Sequence, residues 1–133
     1  MVLFNEKHLK LTLDLKAEIL IADWIGSTDA EEFKQTNRIT LLVLKTFGIK
    51  KFLMDARQSV TPSHLAMDWG SELFSVHFKD TTLHKIARIE SPNLQKEANL
   101  KSLTQQFENR DGLGLELRYF YSYEEGYQWL LLP

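Results

Sequence analysis

The side chains best suited to chemistry lie in one short stretch near the middle of the chain. Asp55 ends a short apolar run, Arg57 and Ser59 follow in a polar segment, and Thr61 and His64 come next. Arginine supplies a forked donor for anions, and the free amide groups at the start of a helix add positive potential. Threonine also caps helices and aspartate satisfies loop amides, so structural roles remain open for these residues. We treat the five residues as a candidate anion- or partner-binding site.

Other patterns of catalytic or metal-binding residues are missing from the sequence. No two of the four histidines have the i, i+4 spacing of a helical metal site, and there is no H-E-x-x-H, G-x-S-x-G, Walker or G-x-G-x-x-G motif. The chain has no cysteine, which removes disulfides, thiol nucleophiles and cysteine metal ligands. Glu124 and Glu125 form an acid pair, but capping and the dipole of a helix start explain both. We therefore expect no metal, no cofactor and no catalytic activity.

Length and composition indicate one globular domain spanning residues 1–133. The chain is 44% hydrophobic, which is enough for a core, and it contains no linker or repeat. Its net charge of -2 argues against a general nucleic-acid binder. The first residues lack the pattern of a signal peptide, and no apolar run is long enough to span a bilayer. We expect a soluble cytoplasmic protein.

The first half of the chain predicts a hairpin, a helix and a buried strand. Leucines alternate with polar residues from Phe4 to Leu15, which predicts one half-buried strand, and Glu18 to Ile25 predicts its antiparallel partner. A capping box at Thr28 begins a helix that Gly48 ends. The apolar run Phe52 to Met54 predicts the third strand.

The second half alternates between helices and strands. Thr61 caps a helix, His84 to Ile89 predicts the fourth strand, and a third helical region begins at Ser91. Leu115 to Tyr121 predicts the fifth strand, before a last helix capped by Ser122. The order β-β-α-β-α-β-α-β-α predicts an α/β domain. Its five-stranded, mostly parallel sheet carries an antiparallel N-terminal hairpin at one edge and four helices. Asp55 then lies at the carboxyl rim, where ligands usually bind.

The helix expected after Asp55 carries a second apolar stripe, formed by Met67, Phe74 and Phe78. A helix that packs on one face of a sheet needs only one stripe. A second stripe requires a second neighbour, which can be another helix of the same domain, a partner subunit or an apolar ligand. All three alternatives remain open at this point.

Four segments resemble the SpoIIAA-like family, a bacterial branch of the STAS superfamily: DWIG, KKFLMDAR, KIARIESP and ELRYFYSYEEGYQWL. The resemblance implies a STAS-like fold related to that of CRAL-TRIO lipid carriers. Many STAS proteins are phosphorylated on a serine at the start of the helix that follows the third strand, shortly after an aspartate. Asp55 matches that aspartate. Ser59 and Thr61 are the nearest hydroxyls and are the possible phosphosites, although the usual serine and threonine run is absent.

The favoured hypothesis is a non-catalytic STAS-like regulatory or protein-interaction module. Its partner is expected to be a second copy of the chain, in a homodimer, or another regulatory protein. The alternative is a small carrier of apolar ligands or lipids, which would hold its ligand against the Met67 stripe. A third hypothesis is an enzyme that acts at Asp55, Arg57 and His64, which requires these side chains to converge on one concave point.

Overall fold

The computed structural model describes residues 1–26, 30–59, 81–90 and 116–133. In this part of the chain a six-stranded sheet carries one helix on each face. The strands are β1 (Val2–Asn5), β2 (Leu9–Asp14), β3 (Ile19–Gly26), β4 (Lys51–Ser59), β5 (Lys85–Ile89) and β6 (Glu116–Phe120), and the helices are α1 (Ala30–Thr46) and α2 (Tyr123–Leu131).

The sheet is antiparallel in its first half and parallel in its second. β1 to β3 form an antiparallel meander, and β3 to β6 are all parallel. The strands lie side by side in the order in which they occur along the chain. The predicted α/β class and the antiparallel N-terminal edge are therefore confirmed.

The predicted count of five strands was wrong, since the described residues form six strands, and they include two of the four predicted helices. A turn separates Phe4 and Asn5 from the alternating leucines, which begin at Leu9, so the segment from Phe4 to Leu15 is two strands and not one. Glu6 donates its backbone N–H to the carbonyl of Leu9 at 2.9 Å where the chain reverses. The helices expected after Thr61 and after Ser91 lie outside the described residues. Neither described helix is long and apolar enough to cross a membrane.

The two faces of the sheet bury different sets of side chains, because neighbouring residues of a strand point to opposite faces. Phe52 points to the side of α1, while Leu53 points to the side of α2, and both are fully buried. β4 is therefore apolar on both faces, as expected for a central parallel strand. The α1 face holds Leu9, Leu11, Leu20, Leu41, Leu44 and Ile86, and the α2 face holds Ile19, Ala87, Ile89, Trp129 and Leu130.

Helix α1 ends in a Schellman motif. Gly48 has a positive φ of 59°, Ile49 donates its N–H to the carbonyl of Leu44 at 3.1 Å, and Gly48 donates to Lys45 at 3.4 Å. Leu44 and Ile49 are both buried, which is the apolar contact that usually accompanies this motif. Phe47 lies half exposed at the last position before the glycine.

Helix α2 is fixed by its cap and by close packing on the sheet. The hydroxyl of Ser122 accepts a hydrogen bond from the Glu125 N–H at 3.4 Å, so the predicted cap is confirmed. The cations of Lys85 and Arg118 lie 5.0 and 5.3 Å from the ring of Trp129. Gly126 is buried where the helix meets β5.

Replacing Gly126 tests how closely α2 approaches the sheet. A Cβ at this position would lie 2.5 Å from Cδ1 of Ile89, which is fully buried. We expect Gly126→Ala to lose about 1–3 kcal/mol through overpacking, partly offset by about 1 kcal/mol of helix propensity. In an Ile89→Val background, which lacks Cδ1, the same change should cost less, because the nearest remaining contact of the Cβ is at 3.3 Å, with Cδ2 of Phe120. Urea unfolding of the four proteins measures this coupling, and additive effects would contradict the proposed contact.

Candidate functional site

The polar segment after Asp55 is part of β4 and not a loop. The strand was expected to end at Met54, but it continues to Ser59. Gln58 and Ser59 pair with Ile25 and Gly26 of β3 after a shift in register that follows Asp23. The strand therefore carries its polar residues beyond the end of β5, whose Ile89 pairs with Asp55.

Asp55 and Arg57 form a forked ion pair at the carboxyl rim. Arg57 donates from Nε to Oδ1 of Asp55 at 3.0 Å and from Nη2 to Oδ2 at 2.8 Å. The backbone N–H of Arg57 also donates to Oδ1, at 3.2 Å. The hydrogen bond to Asp55 raises the pKa of Arg57. This direct contact places the two side chains on the same side of the sheet.

Asp23 lies directly opposite Asp55 on the neighbouring strand. Lys10 lies opposite Asp23 on the other side, so a row of one lysine and two aspartates crosses three strands at this level of the sheet. Burial raises the pKa of Asp23, and the carboxylate of Asp55 raises it further, while Lys10 and Arg57 act in the opposite direction. We call Lys10, Asp23, Asp55 and Arg57 the rim cluster.

Tyr123 of α2 lies near the rim cluster and stacks on Tyr127, one turn further along the helix. The rings of Tyr123 and Tyr127 lie 6.2 Å apart with an interplanar angle of 11°. Burial raises the pKa of Tyr123, and the carboxylates of Asp23 and Asp55 add to the effect. Tyr127 donates its hydroxyl to Oδ2 of Asp14 at 2.7 Å, which lowers the pKa of Asp14 and raises that of Tyr127.

Two further charged contacts lie near the same end of the sheet. The guanidinium of Arg88 donates from Nε to Oε1 of Glu90, which is buried just beyond β5. His8 lies 2.9 Å from the carbonyl of Ile25 through Nδ1, and 3.2 Å from Oε2 of Glu32 through Nε2. His8 therefore joins β2, β3 and the first turn of α1. Within the described ranges, no group of three or more histidines and acids could hold a metal ion.

The structure brings together only some of the residues expected in the site. Asp55 and Arg57 are in direct contact. Ser59 is the last residue of β4 and pairs with Gly26 of β3. Thr61, His64 and the stripe of Met67, Phe74 and Phe78 lie outside the described residues.

Sequence reasoning missed Asp23, Lys10 and Tyr123. One signal was present, because Asp23 is an acid inside the otherwise apolar run EILIADWI. Its position opposite Asp55 depends on the register between β3 and β4, which the sequence does not reveal. The full site is therefore a row of charges that crosses three strands, while the sequence indicated only one strand.

Matched substitutions compare Asp23, whose pKa is raised, with Asp14, whose pKa is lowered. The pKa of Asp23 is raised above 3.8. Its contribution to stability is therefore present below that pH and is lost as pH rises through the folded-state pKa. Asp23→Asn should increase the free energy of unfolding at neutral pH by up to about 1 kcal/mol, discounted for partial exposure. This gain should disappear in acid. Urea unfolding across the acidic range measures it.

Asp14→Asn is the control, because it should change the free energy of unfolding in the opposite direction. The pKa of Asp14 lies below 3.8, so its contribution is present above that pH and is lost as pH falls through the folded-state pKa. The substitution should lower the free energy of unfolding at neutral pH by about 1 kcal/mol, since it weakens the hydrogen bond from Tyr127. Two variants that both destabilise the protein at neutral pH would contradict the assignment for Asp23.

Comparison with known proteins agrees with the geometry of the fold. No protein-family model matches the sequence, and no curated protein matches it. The structure is similar to the crystal structure of an uncharacterised protein of the DUF3478 family, with a SpoIIAA-like fold, from Shewanella loihica PV-4. The match has a TM-score of 0.64 and 18% sequence identity, and it covers 96% of this chain and 97% of the other. The resemblance read from the sequence is thus confirmed at the level of structure, and the chain has a SpoIIAA-like fold.

Proposed function

We propose that this protein is a non-catalytic STAS-like regulatory or protein-interaction module that binds its partner at the carboxyl rim of the sheet. The observation that carries the proposal is the fork between Asp55 and Arg57. It occupies the position where an α/β enzyme would hold a reactive group. The similarity to a SpoIIAA-like protein supports the fold on which the proposal depends.

The fork favours recognition over catalysis. Both oxygens of Asp55 accept hydrogen bonds from Arg57, so this carboxylate is held by the guanidinium and is poorly placed to take a proton from a substrate. The pair is partly exposed, at 13% for the side chain of Asp55 and 43% for that of Arg57. The guanidinium therefore presents its remaining N–H groups to solvent in a fixed direction, which suits contact with a polar surface.

The rim has the mixed character of a protein-binding surface. Ile25 is 41% exposed at the end of β3, and Gln58 and Arg57 are exposed on the neighbouring strand. Arginine is enriched among the residues that contribute most to protein interfaces. An apolar side chain beside polar and charged groups resembles the core and rim of a small interface.

Site-specific photo-crosslinking in the native host tests this surface. A photoreactive residue at Gln58 should capture one dominant protein, identified by mass spectrometry, and Arg57→Glu should remove the crosslink. The same probe at Gln35, which is exposed on α1, serves as the control. Equal yields from the two positions, or crosslinks unaffected by Arg57→Glu, would count against binding at the rim.

A second copy of the chain is the first partner to consider. We expect light scattering to give a mass near twice 15.5 kDa at high micromolar concentration. The fraction of dimer should rise with protein concentration, since association follows mass action. A mass that stays at the monomer value throughout would assign the rim to a different regulatory protein.

A further inference from the structure

Two apolar side chains are exposed at the end of the sheet opposite the rim cluster. Leu15 is 65% exposed in the loop between β2 and β3, and Phe47 is 50% exposed at the end of α1. They flank a groove of about 280 Å³, which Leu13 and Ile49 also line. Both of these last residues are buried, so the groove has an apolar floor.

The walls of the groove are held in place by the backbone on both sides. Leu15 belongs to a loop in which Asp14 accepts hydrogen bonds from the N–H groups of Ala17, at 3.1 Å, and Glu18, at 2.8 Å. Phe47 directly precedes Gly48 in the Schellman motif. The apolar contact of that motif is made by other residues, which leaves Phe47 facing outward. A groove with fixed walls costs little ordering entropy when a partner binds.

Positive charges outnumber negative charges at the end of the sheet that holds the groove. The described residues there include five lysines and three acids, an excess of two positive charges in a chain whose net charge is -2: Lys16, Lys45, Lys50, Lys51, Lys85, Asp14, Glu18 and Glu116. Lys50 and Glu18 line the groove itself, and Lys16 follows Leu15 in the chain. Such a field favours an acidic partner and accelerates its association.

We propose that this groove is a docking site for an acidic peptide segment of a partner protein, which inserts one large apolar side chain between Leu15 and Phe47. A volume of about 280 Å³ falls just below the range of pockets that enclose whole small ligands, so it suits a single side chain. An apolar anchor inside a charged border is the usual arrangement of a small protein interface. The site lies at the opposite end of the sheet from the rim, so its test does not depend on the proposed function.

Selection from a random peptide library displayed on phage tests this site on the whole protein. Because the chain has no cysteine, Gln35→Cys allows the protein to be immobilised through one biotin on α1, away from the groove. We expect the enriched peptides to carry acidic residues next to a large apolar residue, and to bind more weakly as salt is added.

Substitutions at the groove then identify the binding surface. Phe47→Ser and Lys50→Glu should each weaken the selected peptides about tenfold or more. Leu42→Ser and Lys7→Glu are matched controls outside the groove and should leave affinity unchanged. Leu15→Ser probes the other wall of the groove if Phe47→Ser lowers the free energy of unfolding too far.

Three results would overturn the proposal: no enrichment, enriched peptides without acidic residues, and binding that survives both groove substitutions. A fourth overturning result would come from analytical sedimentation, which measures self-association. If the protein itself assembles with rising concentration, and Phe47→Ser abolishes that assembly, the groove binds a second copy of the chain and not an acidic partner.

Discussion

The burial of β4 on both faces is the constraint on which the rest of the structure depends. Phe52 and Leu53 are fully buried on opposite sides, so each face needs its own cover, which α1 and α2 provide. The strand is thereby fixed between β3 and β5 in parallel register. Asp55 is the first polar residue beyond this apolar run. The burial of the strand therefore fixes the position of Asp55 at the carboxyl edge of the sheet.

The position of Asp55 along β4 in turn determines which charged side chains lie next to it. Parallel register places Asp23 beside it, and two neighbouring carboxylates are tolerable because Lys10 and Arg57 lie next to them. Burial and then the carboxylate of Asp55 raise the pKa of Asp23, whereas the hydroxyl of Tyr127 lowers that of Asp14 further along the same face. Two aspartates on one sheet therefore affect stability in opposite directions.

Patterns of neighbouring residues predicted much of the fold. They failed where the pairing of two strands decides which residues belong to the sheet and which side chains meet. The C-terminal end of α1 and the cap of α2 follow from Gly48 and Ser122, whose effects are local. The end of β4 was missed because Gln58 and Ser59 are polar, and only their pairing with Ile25 and Gly26 makes them strand residues. Asp55 and Arg57 were found together because they are two residues apart, while Asp23 depends on a contact that is distant in sequence.

The order of the strands across the sheet bears on how the chain folds during synthesis. Each strand lies next to the one made just before it, so every new strand can add to an edge that already exists. The hydrogen bond between Tyr127 and Asp14 is different, because it joins residues 113 positions apart. Until α2 has been synthesised, Ile19, Leu53 and Ala87 lack their packing partners Trp129 and Leu130. The helix that follows all six described strands in the chain thus completes the burial of side chains from three of them, β3, β4 and β5.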